Sequence, residues 1–499
     1  MHRLLALFLL STWSFAAAQP AASRPNFLVI LCDDLGYGDL ACFGHPHVKT
    51  PNLDRLAREG ARCTSAYAPA PVCSPSRVGL LTGRSPNRAG VFDWIPEVSS
   101  PLSGAQSRHL THLRREEITL PRLLRTAGYA TAQAGKWHCN ASFNTTAQPQ
   151  PGDAGFDHWF ATQNNAIPSH ENPRNFVRNG SPTGPLEGFS CQIVAREMIG
   201  WLERQRAAKP AQPFFAYVAF HETHEPVMSP PDLVAAYRGV ARNEDEAQYF
   251  ANIANMDDAV GKLLAALDRL GVANDTLVYF SSDNGPETLL RYPAGKRSYG
   301  SPGPLRGMKL WTTEGGVRVP GIWRWPGRIK AGQVSAEPVS SLDLLPTFTA
   351  LAGAKVPSDL RLDGTDLRGF FGGGPVRRAQ PLFWFYYNAL NDQRAALRDG
   401  PWKLLARLDG GALPRFTNIN AANAPQVRAA KLTDFTLYRV ADDIAEARDV
   451  SATEPAKLRE LSAKLESLYR EVTATMHVWP DAPAPAGSVT PKKKAQKQP

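Results

Sequence analysis

Asn26-Phe-Leu-Val-Ile-Leu-Cys32, followed at once by Asp33-Asp34-Leu-Gly-Tyr-Gly, is the stretch that decides the fold. After Asn26 it carries no strongly polar side chain for six residues. A short run apolar at every position reads as a strand buried on both faces, as in a parallel sheet covered by helices. The pattern recurs. Tyr129–Ala134 runs into Gly-Lys136-Trp-His138, 213–220 into His221-Glu-Thr-His224-Glu-Pro, and 276–280 into Ser282-Asp283-Asn284-Gly285. Helical patterns lie between them. Thr50-Pro51 to Gly60 has Thr as N-cap, Pro at the first helical position and a terminal Gly. A second helix opens near Cys73, a third covers 120–127, and a long one covers 246–270. The expectation is an α/β fold, with a large, mixed and mostly parallel sheet sandwiched by helices. Four polar clusters then fall at the C-terminal ends of strands, where open α/β sheets bind ligands.

The texture changes around Gly372-Gly373-Gly374-Pro375. Residues 381–387, 395–408 and 436–440 read as strands, and 455–472 as an amphipathic helix. The expected organisation is a catalytic domain over 24–372 and a small C-terminal α+β domain over 376–478. The latter carries a short antiparallel sheet and one helix. Residues 479–499 are rich in Pro, Ala and Lys and read as a disordered tail. At the other end, a basic start, the apolar run Leu4–Leu10 and small residues through Ala18 read as a signal peptide over 1–18. Export is expected, to the periplasm or medium if the source is bacterial, and no second apolar run suggests a membrane span.

The chain has 499 residues and a formal net charge of +10; four tail lysines and Arg3 carry five of these charges. The remaining mild excess suits an anionic substrate. Lys and Arg are scattered, so nucleic acid is not an expected partner. Six cysteines without a Cys-x-x-Cys make neither a disulfide framework nor a zinc ribbon.

The chemistry-bearing residues sit in the polar clusters. Asp33, Asp34, Asp283 and Asn284 offer three carboxylates and an amide oxygen, hard ligands suited to Ca²⁺ or Mg²⁺. Cys73, in Cys73-Ser-Pro75-Ser-Arg77, would open a helix whose free N–H groups favour an anion, with Arg77 adding a fixed charge one turn in. Lys136 and His138 alternate after a strand and could reach one face; the Lys suits a sulfate oxygen and the His proton transfer. His224 is a second His at a strand end, with His221 as its rival. Glu222 and Glu225 flank them without zinc spacing. Lys309 lies in a Gly-rich loop ending Glu314-Gly-Gly-Val-Arg-Val-Pro320.

These motifs, in this order, resemble the type I, formylglycine-dependent sulfatases of the alkaline phosphatase superfamily. The resemblance runs from Asp-Asp-Leu-Gly through Thr-Pro-Asn-Leu-Asp-Arg-Leu-Ala, Cys-Ser-Pro-Ser-Arg, Leu-Leu-Thr-Gly-Arg and Gly-Lys-Trp-His to Gly155-Phe-Asp157. It continues through Ser-Asp-Asn-Gly, Glu-Gly-Gly-Val-Arg-Val-Pro, Asp343-Leu-Leu-Pro-Thr and Leu362-Asp-Gly-Thr, covering about residues 25 to 475. Around His224 and over 298–320 the sequence is most similar to the N-acetylgalactosamine-6-sulfatase and arylsulfatase A group. The resemblance implies an alkaline-phosphatase-like fold and conversion of Cys73 to formylglycine by a formylglycine-generating enzyme. It implies one Ca²⁺, rather than Mg²⁺, on Asp33, Asp34, Asp283, Asn284 and residue 73. It further implies that Arg77 holds the aldehyde hydrate and that Lys136 and Lys309 hold the sulfate. His138 would take a proton from the hydrate and His224 would serve the leaving group. One hydroxyl of the hydrate attacks sulfur; the other, once deprotonated, expels sulfate as the aldehyde re-forms. Cys139-Asn140 departs from the Leu-Gly usual after Gly-Lys-Trp-His. Asn164 and Asn165 fall near a further substrate contact. The implied function is hydrolysis of sulfate esters on a sulfated glycan. The alternatives are a phosphonate monoester or phosphodiester hydrolase with the same site, and a catalytically silent glycan-binding protein.

Overall fold

The computed structural model describes residues 24–288 and 295–481. The expected signal peptide, and all but the first three residues of the expected tail, lie outside the described residues. The deciding stretch forms β1 (Asn26–Asp33), buried throughout. Leu28, Ile30 and Cys32 enter the core on one side and Phe27, Val29 and Leu31 the core on the other, the two-residue alternation of a strand. Burial on both faces is why no position of the run is polar after Asn26.

The same sheet contains β2 (Ala61–Tyr67), β3 (Ala130–Lys136), β4 (His158–Thr162), β5 (Val177–Arg178), β6 (Ser181–Pro182), β7 (Phe214–Thr223), β8 (Thr276–Ser282), β9 (Arg318–Arg324), β10 (Gln333–Ser335) and β11 (Val339–Ser340). Its order is β10-β2-β9-β8-β1-β7-β3-β4-β5-β6, with β11 beside β2. The centre, β8-β1-β7-β3-β4, is parallel, and β9 is antiparallel to both its neighbours. Helices Ser190–Ala208 and Glu244–Arg269 cover one face; Cys73–Thr82, Leu120–Thr126 and Leu344–Ala352 cover the other. The expected sandwich is therefore present.

Local detail differs from the sequence reading in two places. Thr50 does not cap its helix. Its hydroxyl bonds Asp54, and the free N–H groups of Asn52 and Leu53 donate instead to Asp257 of the long helix, at 3.1 and 2.8 Å. A tertiary partner has taken the cap's role. Pro320 disguises β9 as a loop. The ladder between β2 and β9 shifts register between Cys63 and Ala66, opposite Pro320, so the missing N–H falls at an irregularity.

A second sheet, antiparallel throughout, is built from β12 (Leu382–Phe385), β13 (Ala395–Asp399), β14 (Trp402–Leu408) and β15 (Leu432–Tyr438). The stretch 395–408 splits into two strands because Gly400, at φ 53°, turns the chain before Pro401. Helix Pro455–Thr475 covers this sheet with Leu461, Leu465, Leu468, Tyr469 and Val472. Trp479, read from sequence as the first residue of the tail, is instead part of this core. It is buried, and its indole N–H donates to the Gly90 carbonyl at 2.7 Å. Trp479→Ala is expected to lower unfolding free energy by about 3–5 kcal/mol in a denaturant melt; a change near zero would place the residue outside the core.

The two sheets meet at a buried ion cluster. Glu314 accepts from Lys403 Nζ at 3.0 Å, Arg318 Nη1 at 3.1 Å and Tyr67 OH at 2.8 Å, and Arg398 Nε donates to the same tyrosine at 2.9 Å. Burial would raise the Glu314 carboxyl, but Lys403, Arg318 and Arg398 outweigh it and hold it down to about 2. A depressed acid stabilises the fold above its ordinary value and loses that contribution as pH falls through the folded one. Glu314→Gln strands these cations, and is expected to cost about 3–5 kcal/mol at neutral pH. The deficit should shrink as the melts are repeated from pH 4.5 down towards 2. A deficit that does not change with pH would rule out charge as its origin.

Candidate active site

The site gathers at the C-terminal ends of the central strands. β1 ends in Asp33 and leads into Asp34, β8 leads into Asp283 and Asn284, β3 ends in Lys136, and β7 leads into His224. Cys73 is the first residue of helix Cys73–Thr82 and only 2% exposed. One oxygen each from Asp33, Asp34 and Asp283 lies with the Cys73 sulfur in a group no wider than 4.8 Å. A ring nitrogen of His224 forms a similar group with Asp34 and Cys73. The structure therefore brings together residues from five separate motifs.

Each carboxylate has a cationic partner. Lys136 Nζ lies 2.5 Å from Asp33, Lys309 Nζ 2.7 Å from Asp34, and Arg77 Nη2 2.7 Å from Asp283. Arg77 is anchored further by Nε on Asp283 and by Nη1 on the Lys136 carbonyl. Three acids against three cations leave the cluster near neutral by itself. With the buried Glu287 beside Lys309 also counted, a bound dication would leave an excess of about one positive charge facing whatever anion enters.

The cluster fits a hard cation. Asn284 Oδ1 is buried without a hydrogen-bond partner, and an orphaned buried acceptor is costly unless something binds it. Crowding of the carboxylates is the second sign. Burial would raise Asp33, but Lys136, His224, Arg77 and Lys309 hold it well below the usual range. Burial and the neighbouring Asp33 charge push Asp283 up to about 7 despite Arg77. A dication on these oxygens would relieve that repulsion.

The histidines are oriented by backbone carbonyls. His138 Nε2 lies 3.0 Å from the Ile95 oxygen and His224 Nδ1 2.6 Å from the Glu225 oxygen, which assigns both as N–H donors. His138 Nδ1 is left buried and unpartnered, and His224 Nε2 sits 3.6 Å from Asp34. Burial, with Lys136 and Arg77, keeps His138 well below its ordinary value; burial and Lys309 bring His224 down to about 4. Both rings are unprotonated at neutral pH. Burial raises the Cys73 thiol well above its ordinary value, although Lys136 and Lys309 pull the other way. As a plain thiol it is protonated and a poor nucleophile.

Of the two rivals on β7, His224 comes to Cys73. His221 is buried elsewhere, its Nε2 2.8 Å from Thr162 Oγ1. Glu222 and Glu225 serve backbone N–H groups, Glu222 that of Cys191 and Glu225 that of Val227. Cys139 is buried with Sγ on the Trp137 carbonyl, and Asn140 Nδ2 bonds the Pro149 carbonyl. Asn164 and Asn165 follow Gln163, whose side chain bonds the Ile95 and Asn140 carbonyls, and both their Oδ1 atoms are unpartnered. Sequence reading missed Ile95. Its N–H takes the Ser74 hydroxyl oxygen at 2.9 Å while its carbonyl holds His138. The contact is through backbone, so the side chain carries no signal. It also missed Glu287, buried and adding negative charge beside Lys309, which its position three residues past Asn284 could have suggested.

A parallel α/β sheet with buried carboxylates, lysines and a helix-heading Cys at its C-terminal edge is the architecture of the alkaline-phosphatase-like hydrolases. The sulfatase family model matches residues 25–354, and the chain belongs to that family of sulfuric ester hydrolases. It is 38% identical to arylsulfatase A of Bos taurus over 420 residues, covering 79% of this chain and 76% of that one. It is 36% identical to N-acetylgalactosamine-6-sulfatase of Canis lupus familiaris over 395 residues, covering 76% and 72%. Among solved structures, Ps i-CgsB superposes with a TM-score of 0.75 at 27% identity, covering 92% of this chain and 95% of that one; it has also been solved with k-i-k-neocarrahexaose. No helix among the described residues is long and apolar enough to cross a membrane.

Proposed function

We propose that this sulfatase hydrolyses sulfate esters of a sulfated carbohydrate through a formylglycine made from Cys73, with one Ca²⁺ on Asp33, Asp34, Asp283 and Asn284. One observation carries the reading. Cys73 is buried at a helix head, inside a group of three carboxylates each matched by a cation. Such a site has no role for a protonated thiol, but it would hold a modified residue 73 against a metal and an anionic ester.

Formylglycine would supply a hydrated aldehyde oxygen as nucleophile, and Ca²⁺ would offset charge on that oxygen and on the ester. Arg77, fixed by Asp283 and the Lys136 carbonyl, holds residue 73 in place. Lys136 and Lys309 bring two positive charges to the ester oxygens, worth most in a buried site. His138 takes a proton on Nδ1, the nitrogen that its Ile95 contact leaves free. His224 exchanges a proton through Nε2 on the leaving-group side.

A carbohydrate substrate is supported by the name of one relative, N-acetylgalactosamine-6-sulfatase, by the oligosaccharide bound to Ps i-CgsB, and by the cationic excess of the chain, and N-acetylgalactosamine-6-sulfate is the first candidate. The test is sulfate release from a panel of sulfated glycans, run beside an aryl sulfate and an aryl phosphonate monoester, using protein co-expressed with a formylglycine-generating enzyme. Release from one glycan class, with the phosphonate at least about 100-fold slower in kcat/KM, is the expected result. Faster cleavage of the phosphonate would reassign the ester, and binding without turnover would make the protein a silent glycan binder.

A further inference from the structure

A cleft of about 950 Å³ lies between the two sheets, away from the active site, lined by residues of the catalytic domain, the connecting segment and the C-terminal unit. None of Cys73, Lys136, His138, His224 or Lys309 lines it. Its volume falls in the range of small-molecule sites.

The charge beside it is unbalanced. Arg318 and Arg398 line the cleft, each only 4% exposed. With the fully buried Lys403 they surround the carboxylate of Glu314, whose N–H donates to the buried Glu446. Glu446 shares Lys403 and lies 3.5 Å from Arg306, so four cations stand against two carboxylates. Lys403 is partly offset by its position 4.5 Å over the Trp384 ring. The arginines sit farther from their rings, Arg318 5.4 Å over Tyr37 and Arg398 6.0 Å over Tyr67. Arg318 spends Nε on the Thr64 carbonyl and Nη1 on Glu314; Arg398 spends Nε on Tyr67 and Nη1 on the Trp402 carbonyl. Among the described residues neither Nη2 has a hydrogen-bond partner, and neither is sealed from solvent. The other charged residues of the cleft are mostly committed. Arg378 is held by Asp343, and Lys464 by Asp399 and Glu460. Glu337 is the one lining acid outside an ion pair, and one of its oxygens accepts the Val376 N–H.

Buried positive charge without a counterion is costly. Two guanidinium groups that line one cleft can together act as a fork for a tetrahedral oxyanion. We propose that this cleft is a second anion site, in which Arg318 and Arg398 bind a sulfate-type oxyanion, supplied either as a free ion or as a sulfate group of an oligosaccharide. It is distinct from the active site in position and in the residues that would bind.

The fork also holds the two domains together, so its loss risks unfolding; the test therefore uses an exposed lining residue. Ser467 sits on helix Pro455–Thr475 at the cleft and tolerates a glutamate there. Two measurements are combined. Wild-type crystals grown without sulfate are soaked in sodium selenate and examined for an anomalous peak. Ser467→Glu and wild-type proteins, both carrying Cys73→Ala to prevent turnover, are titrated with a 6-sulfated chondroitin tetrasaccharide. Expected are a selenate peak bridging Arg318 and Arg398, and a Kd raised at least about fivefold by the added negative charge. Turnover of an aryl sulfate by Ser467→Glu with Cys73 intact should be unchanged, which separates this site from the active site. A peak without an effect on the tetrasaccharide assigns the site to the free ion. No peak and no change in Kd would overturn the proposal, leaving the active-site reading untouched.

Discussion

Replacing Cys73 with Ala is expected to lower kcat/KM for sulfate esters by at least about 10⁴-fold, with little change in melting temperature. The two readouts separate because the thiol contributes little to packing. The hydrogen bond of its side chain is a 3.4 Å contact from Sγ to Asp33, and Ala fits the helix start at least as well. The loss of activity is large because nothing nearby can substitute. Ser74 spends its hydroxyl on the Ile95 N–H, and the Ser76 hydroxyl is buried without a partner. Unconverted wild-type protein should be nearly as inactive as the Ala variant, since burial keeps the thiol protonated. Substantial turnover by the Ala variant would move the nucleophile elsewhere.

Chelation of the proposed cation should reduce turnover by at least about 100-fold, with recovery on adding Ca²⁺ and less on adding Mg²⁺. Stability should follow, because an ion that binds only the folded chain at a hundred times its Kd adds about 2.7 kcal/mol. The affinity should depend on pH. Asp283, pushed up to about 7 in the ion-free cluster, must lose its proton when the ion binds. The apparent Kd should therefore rise about tenfold per pH unit below 7 and flatten above it. A Kd independent of pH between 5 and 8 would show that Asp283 carries no proton in the ion-free cluster. Melting curves with and without Ca²⁺ across that range measure both effects.

The residues gathered in the candidate site were largely legible in the sequence because they lie in polar clusters at or just after the ends of buried strands. Asp33, Lys136, His224 and Asp283 come together for the topological reason that parallel strands end at one edge. The choice of His224 over His221 was not decided by spacing, since one lies near the end of β7 and the other just after it. In the structure His221 is instead held by a hydrogen bond to Thr162, on a strand distant in sequence. The fold was legible where periodicity was strong, as in β1 and in helix Pro455–Thr475. It was hidden where tertiary structure overrides local signal. β9 contains a proline tolerated only because β2 is irregular opposite it, and the cap of helix Pro51–Glu59 comes from Asp257, some 200 residues away. Trp479 illustrates the converse. Its surroundings look like a tail, but the indole finds a carbonyl and a core that composition does not reveal.

The most direct measurement is sulfate release from a sulfated glycan by protein batches containing different fractions of converted Cys73, with conversion read by mass spectrometry of the peptide containing that residue. The rate should rise in proportion to the aldehyde fraction and extrapolate to nearly zero for the pure thiol. Equal rates from fully thiol and fully converted protein would contradict the assignment of Cys73 as the residue on which the reaction depends.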